Sequence, residues 1–196
     1  MRSPFDELKL LIDDKDHKEL QCRKYLELTK DRLVKCTPLS FKRFTPEYRG
    51  HTGDSDLIVS CETVNDADKK NTEVYIWEIK SPQCYIFEFD NSNRVKPSSA
   101  LISAENQLIH YFEEYQKSSQ FLEEFELISP DNLHIGGIII GSANTLVKPH
   151  EKYVEEQTIK SLYTRAITYR KKHFYKSSAI ELIIWDRILD LLRPRQ

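Results

Sequence analysis

Two apolar segments constrain this chain more than any other feature: GDSDLIVSCETV (53–64) and TEVYIWEIK (72–80), separated by NDADKKN. Both are rich in β-branched and aromatic residues, and the Asn, Asp and Lys between them are turn chemistry, so the spacing predicts a hairpin with its loop in water. Side chains two apart on a strand share a face, so Glu78 and Lys80 project together while Ile79 turns the other way. Asp56 immediately precedes Leu57-Ile58-Val59, at the end of the partner strand where a hairpin brings it opposite Glu78.

Two carboxylates and an adjacent ammonium are the parts needed to hold Mg²⁺ and a water against a phosphodiester. The alternative is a surface hairpin with a cross-strand ion pair, worth about 0.2–1 kcal/mol. The apolar surroundings weigh against it, because charges inside such a strand need a compensating partner. An E-x-K triplet alone is not specific, since Glu7-Leu8-Lys9 is another. Asp54 lies on the same face as Asp56; the choice between them favours Asp56, where the apolar strand begins.

The remaining chain reads as alternating helices and strands. A short helix around Phe5 to Ile12 precedes an amphipathic helix over Asp16 to Val34, and CTPLSFKRFTPEYRGHTG is a loop or irregular strand broken by Pro and Gly. QCYIFEFD reads as a third strand. Ser98 or Ser99 caps a helix reaching about Glu124, with Ala104, Leu108, Tyr111 and Tyr115 as its buried stripe. LHIGGIIIGS has the uniform apolarity of a strand covered on both faces. A helix over Lys152 to Lys172, a strand SAIELIIW and a helix WDRILDLL complete an α/β sandwich around a mixed sheet.

At 196 residues, with 39% hydrophobic and 31% charged residues, the chain suits one domain with a substantial core, 1–14 being a lead-in to a core over about 15–192. The net charge of -2 hides a basic stretch from Lys160 to Lys176 that contains no acid. There Lys160, Arg165, Arg170, Lys171 and Lys172 alternate with aromatics, a pattern suited to a nucleic-acid backbone or to a solvated helix face. Cys22, Cys36, Cys61 and Cys84 lack metal-ligand spacing and read as reduced packing thiols. His51, His110 and His134 are scattered and no ligand role is expected of them. The acidic first residues do not read as a secretory signal, and no apolar run approaches the ~20 residues of a membrane span, so a cytoplasmic protein with no membrane contact is expected.

GDSDLIV followed by VYIWEIKSP resembles the D…(D/E)-x-K core of the PD-(D/E)xK nuclease superfamily, and Gln107-Leu108-Ile109-His110-Tyr111 resembles the Q-x-x-x-Y element that follows it in several branches. More narrowly, EIKSP, AENQLIHY, the N-terminal KELQCRKYLE and the closing IELIIWDRIL together resemble the Shedu anti-phage defence family, over about Lys15 to Leu192. Ser55 replaces the superfamily's Pro, and the additional N-terminal sensing domain such nucleases often carry is not expected within these 196 residues.

The resemblance implies a three-layer restriction-endonuclease-like α/β core and a Mg²⁺- or Mn²⁺-dependent DNA endonuclease acting against phage, as a homo-oligomer. Asp56 and Glu78 would be the metal ligands, with the Ile79 carbonyl; Lys80 would orient or help deprotonate the attacking water. Gln107 would position substrate or water, Tyr111 would support the helix or the phosphate, and Glu19 would fill an acidic position on the first helix. The competing expectations are a catalytically silent nuclease-like module that binds nucleic acid or a partner, and a restriction or repair nuclease of the same superfamily.

Overall fold

The computed structural model describes residues 2–50, 53–64, 68–153 and 155–194. His51 and residues 65–67 of the expected 65–71 turn therefore lie outside the described residues. Five strands form one mixed sheet: β1 (Ser40–Gly50), β2 (Gly53–Val64), β3 (Lys70–Ile79), β6 (Leu133–Ile139) and β7 (Glu181–Ile183), side by side in that order. The β1–β2–β3 pairings are antiparallel, and β6 and β7 continue the sheet parallel to β3. Parallel neighbours need crossovers, which are supplied by α3 (Ser99–Lys117) between β3 and β6 and α5 (Glu156–Arg170) between β6 and β7.

Helices cover both faces of the sheet. Ile58, Ile76 and Ile138 meet Leu101, Ala104 and Leu108 of α3 and Ile167 of α5. On the opposite face Leu57, Val59, Trp77 and Ile79 meet Leu8 and Ile12 of α1 (Pro4–Ile12) and Trp185 and Ile188 of α7 (Trp185–Leu191). The alternation along β2 and β3 is thus a division between two buried apolar layers. Trp77 donates its indole N–H to the Leu33 carbonyl at 2.8 Å. Its ring lies where a Cβ on Gly136 would come within 2.3 Å of it, so only glycine fits there.

Of the loop or irregular strand expected over 36–53, the irregular-strand alternative holds for Ser40–Gly50, an eleven-residue edge strand whose register shifts between Phe41 and Arg43 and where Pro46 is tolerated because an edge leaves some N–H groups without ladder partners. Several expectations are corrected. Phe87–Phe89 (β4) does not join the main sheet; it pairs with Val95–Pro97 (β5) in a separate hairpin. The edge of β3 it would have used is taken by the longer, more apolar β6. The helix expected over 16–34 is instead α2 (Glu19–Arg23) followed by a 3₁₀ turn Glu27–Leu33. Thr29 there has φ -125° and ψ 22°, and its hydroxyl donates to the Leu26 carbonyl, competing with helical bonding. The helix expected over 98–124 breaks at Ser118, whose extended backbone ends α3 while its side chain accepts from Phe121 N–H to start α4 (Ser119–Glu124). That redirection stacks Phe121 on Tyr115 with centroids 4.3 Å apart.

All four cysteines are free. Cys36 and Cys61, distant in sequence, meet with Sγ atoms 3.5 Å apart. No helix among the described residues is long and apolar enough to cross a membrane.

Candidate active site

The β2–β3 ladder ends at the pair Leu57 and Trp77. One step further along this register, Asp56 faces Glu78, but the ladder bond is replaced by a side-chain one: Ile79 N–H donates to Asp56 Oδ2 at 2.9 Å. The even-numbered residues of β2 and β3 face α3, so Asp56, Glu78 and Lys80 emerge on one side, beneath that helix. Ile79 points into the opposite core.

Lys80 Nζ donates to Glu78 Oε1 at 2.5 Å and to Gln107 Oε1 on α3 at 2.9 Å. Tyr111, one turn along α3 from Gln107, is half-buried and interacts with it. Burial, and then the neighbouring Glu78 charge, raise its phenol above the ordinary value. Asp54 stays exposed one strand position pair further out, its backbone opposite Arg49. The geometry thus brings Asp56, not Asp54, to Glu78.

The electrostatics follow from burial. Glu78 is only 2% exposed, and desolvation together with the Asp56 charge pushes its carboxyl from 4.5 up to about 8, against the pull of Lys80. For Lys80, burial alone would lower the ammonium, but Glu78, Asp56 and Glu19 raise it above the ordinary lysine value. The ammonium is therefore held charged, which suits orientation and charge compensation better than proton abstraction in this ion-paired arrangement.

A residue absent from the sequence-based reading completes the cluster. Arg23 of α2 donates to Asp56 Oδ1 and to Glu19 Oε1, each at 2.6 Å, and its side chain is 10% exposed. Its Nε is buried without a hydrogen-bond partner among the described residues. Glu19 thus reaches the site through Arg23, not as a direct neighbour of Glu78. The i,i+4 spacing of Glu19 and Arg23 was the available signal, though it is equally that of an ordinary helical surface pair.

Supporting contacts hold this arrangement in place. Lys80 N–H donates to the Ile139 carbonyl at 2.8 Å, and the Lys80 carbonyl accepts from the Trp185 indole at 2.8 Å. Gln83 Nε2 donates to the carbonyls of Leu11 (2.8 Å) and Asp14 (3.1 Å), while its Oε1 accepts from Lys18 N–H at 3.1 Å. This ties the segment that launches α2, and with it Arg23, to the turn just after Lys80. Nothing in the residue types announced it.

The donor set suits a hard divalent cation. With Glu78 protonated, the charges of Asp56, Glu19, Arg23 and Lys80 cancel; ionising Glu78 leaves one excess negative charge beside two carboxylates. Among the described residues no group of three or more His, Cys, Asp or Glu side chains could hold a metal ion. A site of two carboxylates, a backbone carbonyl and several waters is nevertheless the form Mg²⁺ commonly takes.

The basic residues of α5 and its continuation, a π-helical turn Lys171–Tyr175, are not part of this cluster. Arg170, expected among the nucleic-acid contacts, has its guanidinium on the Glu105 carboxylate and the Tyr175 hydroxyl. Lys160 pairs with Glu156 at 2.5 Å but stays exposed, as do Arg165, Lys171 and Lys172. His134 is paired with Glu73 at 2.5 Å, far along β3 from Glu78, and His110 is exposed on α3. Comparison of the chain with models of protein families, with curated proteins and with solved structures returns no match.

Proposed function

We propose that this protein is a divalent-metal-dependent deoxyribonuclease with a restriction-endonuclease-like core, hydrolysing phosphodiester bonds. The observation that carries the reading is the union of Asp56, Glu78 and Lys80 on one face of the sheet, tied to Gln107 of the covering helix. When bound by Asp56, Glu78 and the Ile79 carbonyl, Mg²⁺ or Mn²⁺ supplies Lewis-acid polarisation of the phosphate and a lowered pKa for water. Lys80 offsets charge developing on the phosphate, and its bond to Gln107 sets where that ammonium sits. Gln107 stands between Lys80 and Tyr111, which supports it one turn away, where its side chain can position substrate or water. Arg23 holds Asp56 in place from the far side.

The test is plasmid cleavage with Mn²⁺ by the wild type and by Glu78→Gln and Lys80→Ala. Loss of cleavage in both variants, with unchanged circular dichroism, supports the reading; equal residual nicking by all three proteins defeats it. The resemblance to Shedu extends the proposal to defence against phage by a homo-oligomer in the cytoplasm, which phage plating on cells carrying wild type or Glu78→Gln addresses.

One observation favours a second reading, a nuclease-like module that binds without cutting. Both carboxylates are already engaged by cations, Asp56 by Arg23 and Glu78 by Lys80. Calorimetric titration with Mn²⁺ separates the two: heat that disappears in Glu78→Gln supports the hydrolase, and no heat in the wild type supports the module.

A further inference from the structure

On the flank of α5 away from the sheet, two large aromatic rings lie open to solvent: Tyr169 is 61% exposed and Phe174 51%. They form one wall of a cleft of about 600 Å³ whose opposite wall is the β4–β5 hairpin, with Tyr153 also at its lining. Arg94, Lys96 and Arg165 stand in the same cleft, and among the described residues no acidic one lines it. Asp90 and Glu88 pair with Arg94 and Lys96, each at 3.0 Å, but from outside the lining and as partly exposed pairs that salt loosens. Arg165 forms no ion pair among the described residues, and Lys172 extends the same charge along the helix. Arg170, held by Glu105, lies over the Phe174 ring at 5.1 Å and braces it from one side.

Tyr169 and Phe174, with centroids 6.3 Å apart and planes 54° to each other, set exposed aromatic surface beside the unneutralised guanidinium of Arg165, the combination by which proteins take a base and its phosphate from a single strand: a ring stacks and the cation faces the backbone. Duplex DNA keeps its bases stacked inside and has no ring to offer such a cleft. We propose that this cleft binds an unpaired nucleotide of a DNA strand, its base against Tyr169 and Phe174 and its phosphate facing Arg165. The site deepens the nuclease reading by naming the form of DNA recognised away from Asp56 and Glu78, and it rests on that reading for the identity of the polymer.

The experiment is fluorescence anisotropy of the full chain in EDTA, so that no cleavage is required. The probes are a labelled oligothymidylate, an abasic strand of the same length and charge, and a duplex of that length. The wild type is expected to bind oligothymidylate at least about tenfold more tightly than the abasic strand. Tyr169→Ala and Phe174→Ala should remove that margin and leave duplex binding unchanged, and Tyr169→Phe should restore it. Arg165→Glu should weaken binding to both single strands. Equal wild-type affinity for thymidylate and abasic strands, or an unaltered margin in both alanine variants, overturns the proposal. Because Tyr169 is exposed, Tyr169→Ala should melt as the wild type does. A chain that keeps the stacking margin yet never cleaves with Mn²⁺ defeats the nuclease reading and not the cleft; a chain that cleaves but lacks the margin does the reverse.

Discussion

Arg23 and Asp56 share a 2.6 Å ion pair across the junction of α2 and β2, and it occupies the carboxylate oxygen that Ile79 N–H leaves free. Asp56 is thereby fixed at both oxygens before any ligand arrives. The pair relieves repulsion between Asp56 and Glu78, yet a divalent cation on Asp56 must contend with a guanidinium already there.

Arg23→Ala should therefore destabilise the metal-free protein by about 1–3 kcal/mol, because two facing carboxylates lose a partner. The same variant should gain more stability from Mn²⁺ than the wild type does, since the cation then supplies the missing charge. Thermal unfolding with and without Mn²⁺ measures both; equal stabilisation of the two proteins would show that Arg23 and the metal do not compete.

Glu78 gives the site a pH dependence whose sign is set by its raised carboxyl. Folding favours the protonated form, so its stabilising contribution is complete below about 4.5 and is lost as pH rises toward about 8, on the order of a few kcal/mol in all. The urea midpoint of the wild type relative to Glu78→Gln should fall across that window. Mn²⁺ affinity should move oppositely, rising with pH and levelling off above about 8, because the ion requires the carboxylate. A flat affinity between pH 6 and 8 would remove Glu78 from the ligand set.

Lys80→Met keeps the aliphatic stem and deletes the ammonium that Glu78 and Gln107 share. Cleavage should drop about 10²–10³-fold, the range for losing one preorganised electrostatic group. With its nearest cation gone, Glu78 should hold its proton to still higher pH, so Mn²⁺ binding should shift alkaline. Calorimetry over a pH series reads this independently of activity.

Gln83→Ala removes bonds to Leu11, Asp14 and Lys18 without touching any of the four clustered residues Asp56, Glu78, Lys80 and Gln107. A stability loss of about 1–3 kcal/mol is expected. Hydrogen exchange should quicken through Glu19–Arg23 while the β3 amides stay protected. Unchanged exchange in α2 would mean that the brace does not hold Arg23.

Gly136→Ala places a methyl inside the Trp77 indole and should cost about 1–3 kcal/mol through overpacking at the centre of the sheet. Denaturant unfolding measures it; a change under 0.5 kcal/mol would mean that β6 shifts freely.

The residues alone determined whatever depends on local periodicity. The bounds of β2, the common face of Glu78 and Lys80, the opposite face of Ile79 and a serine cap at 98 or 99 all follow from spacing and turn chemistry, because a strand's period of two and a helix's first turn are set by near neighbours; the structure chooses Ser98. Even Asp56 opposite Glu78 was legible, since a hairpin register propagates along the chain. Tertiary structure decided what local rules cannot rank. Phe87–Phe89 has strand chemistry but lost its place beside β3 to β6, which buries more apolar surface there. Ser118 cut a continuous helical pattern because turning α4 stacks Phe121 on Tyr115. Arg23 became the partner of Asp56, and Arg170 left the solvent for Glu105, because buried carboxylates recruit whichever cation the packed layers bring within reach, and that is fixed by how the layers meet, not by distance along the chain.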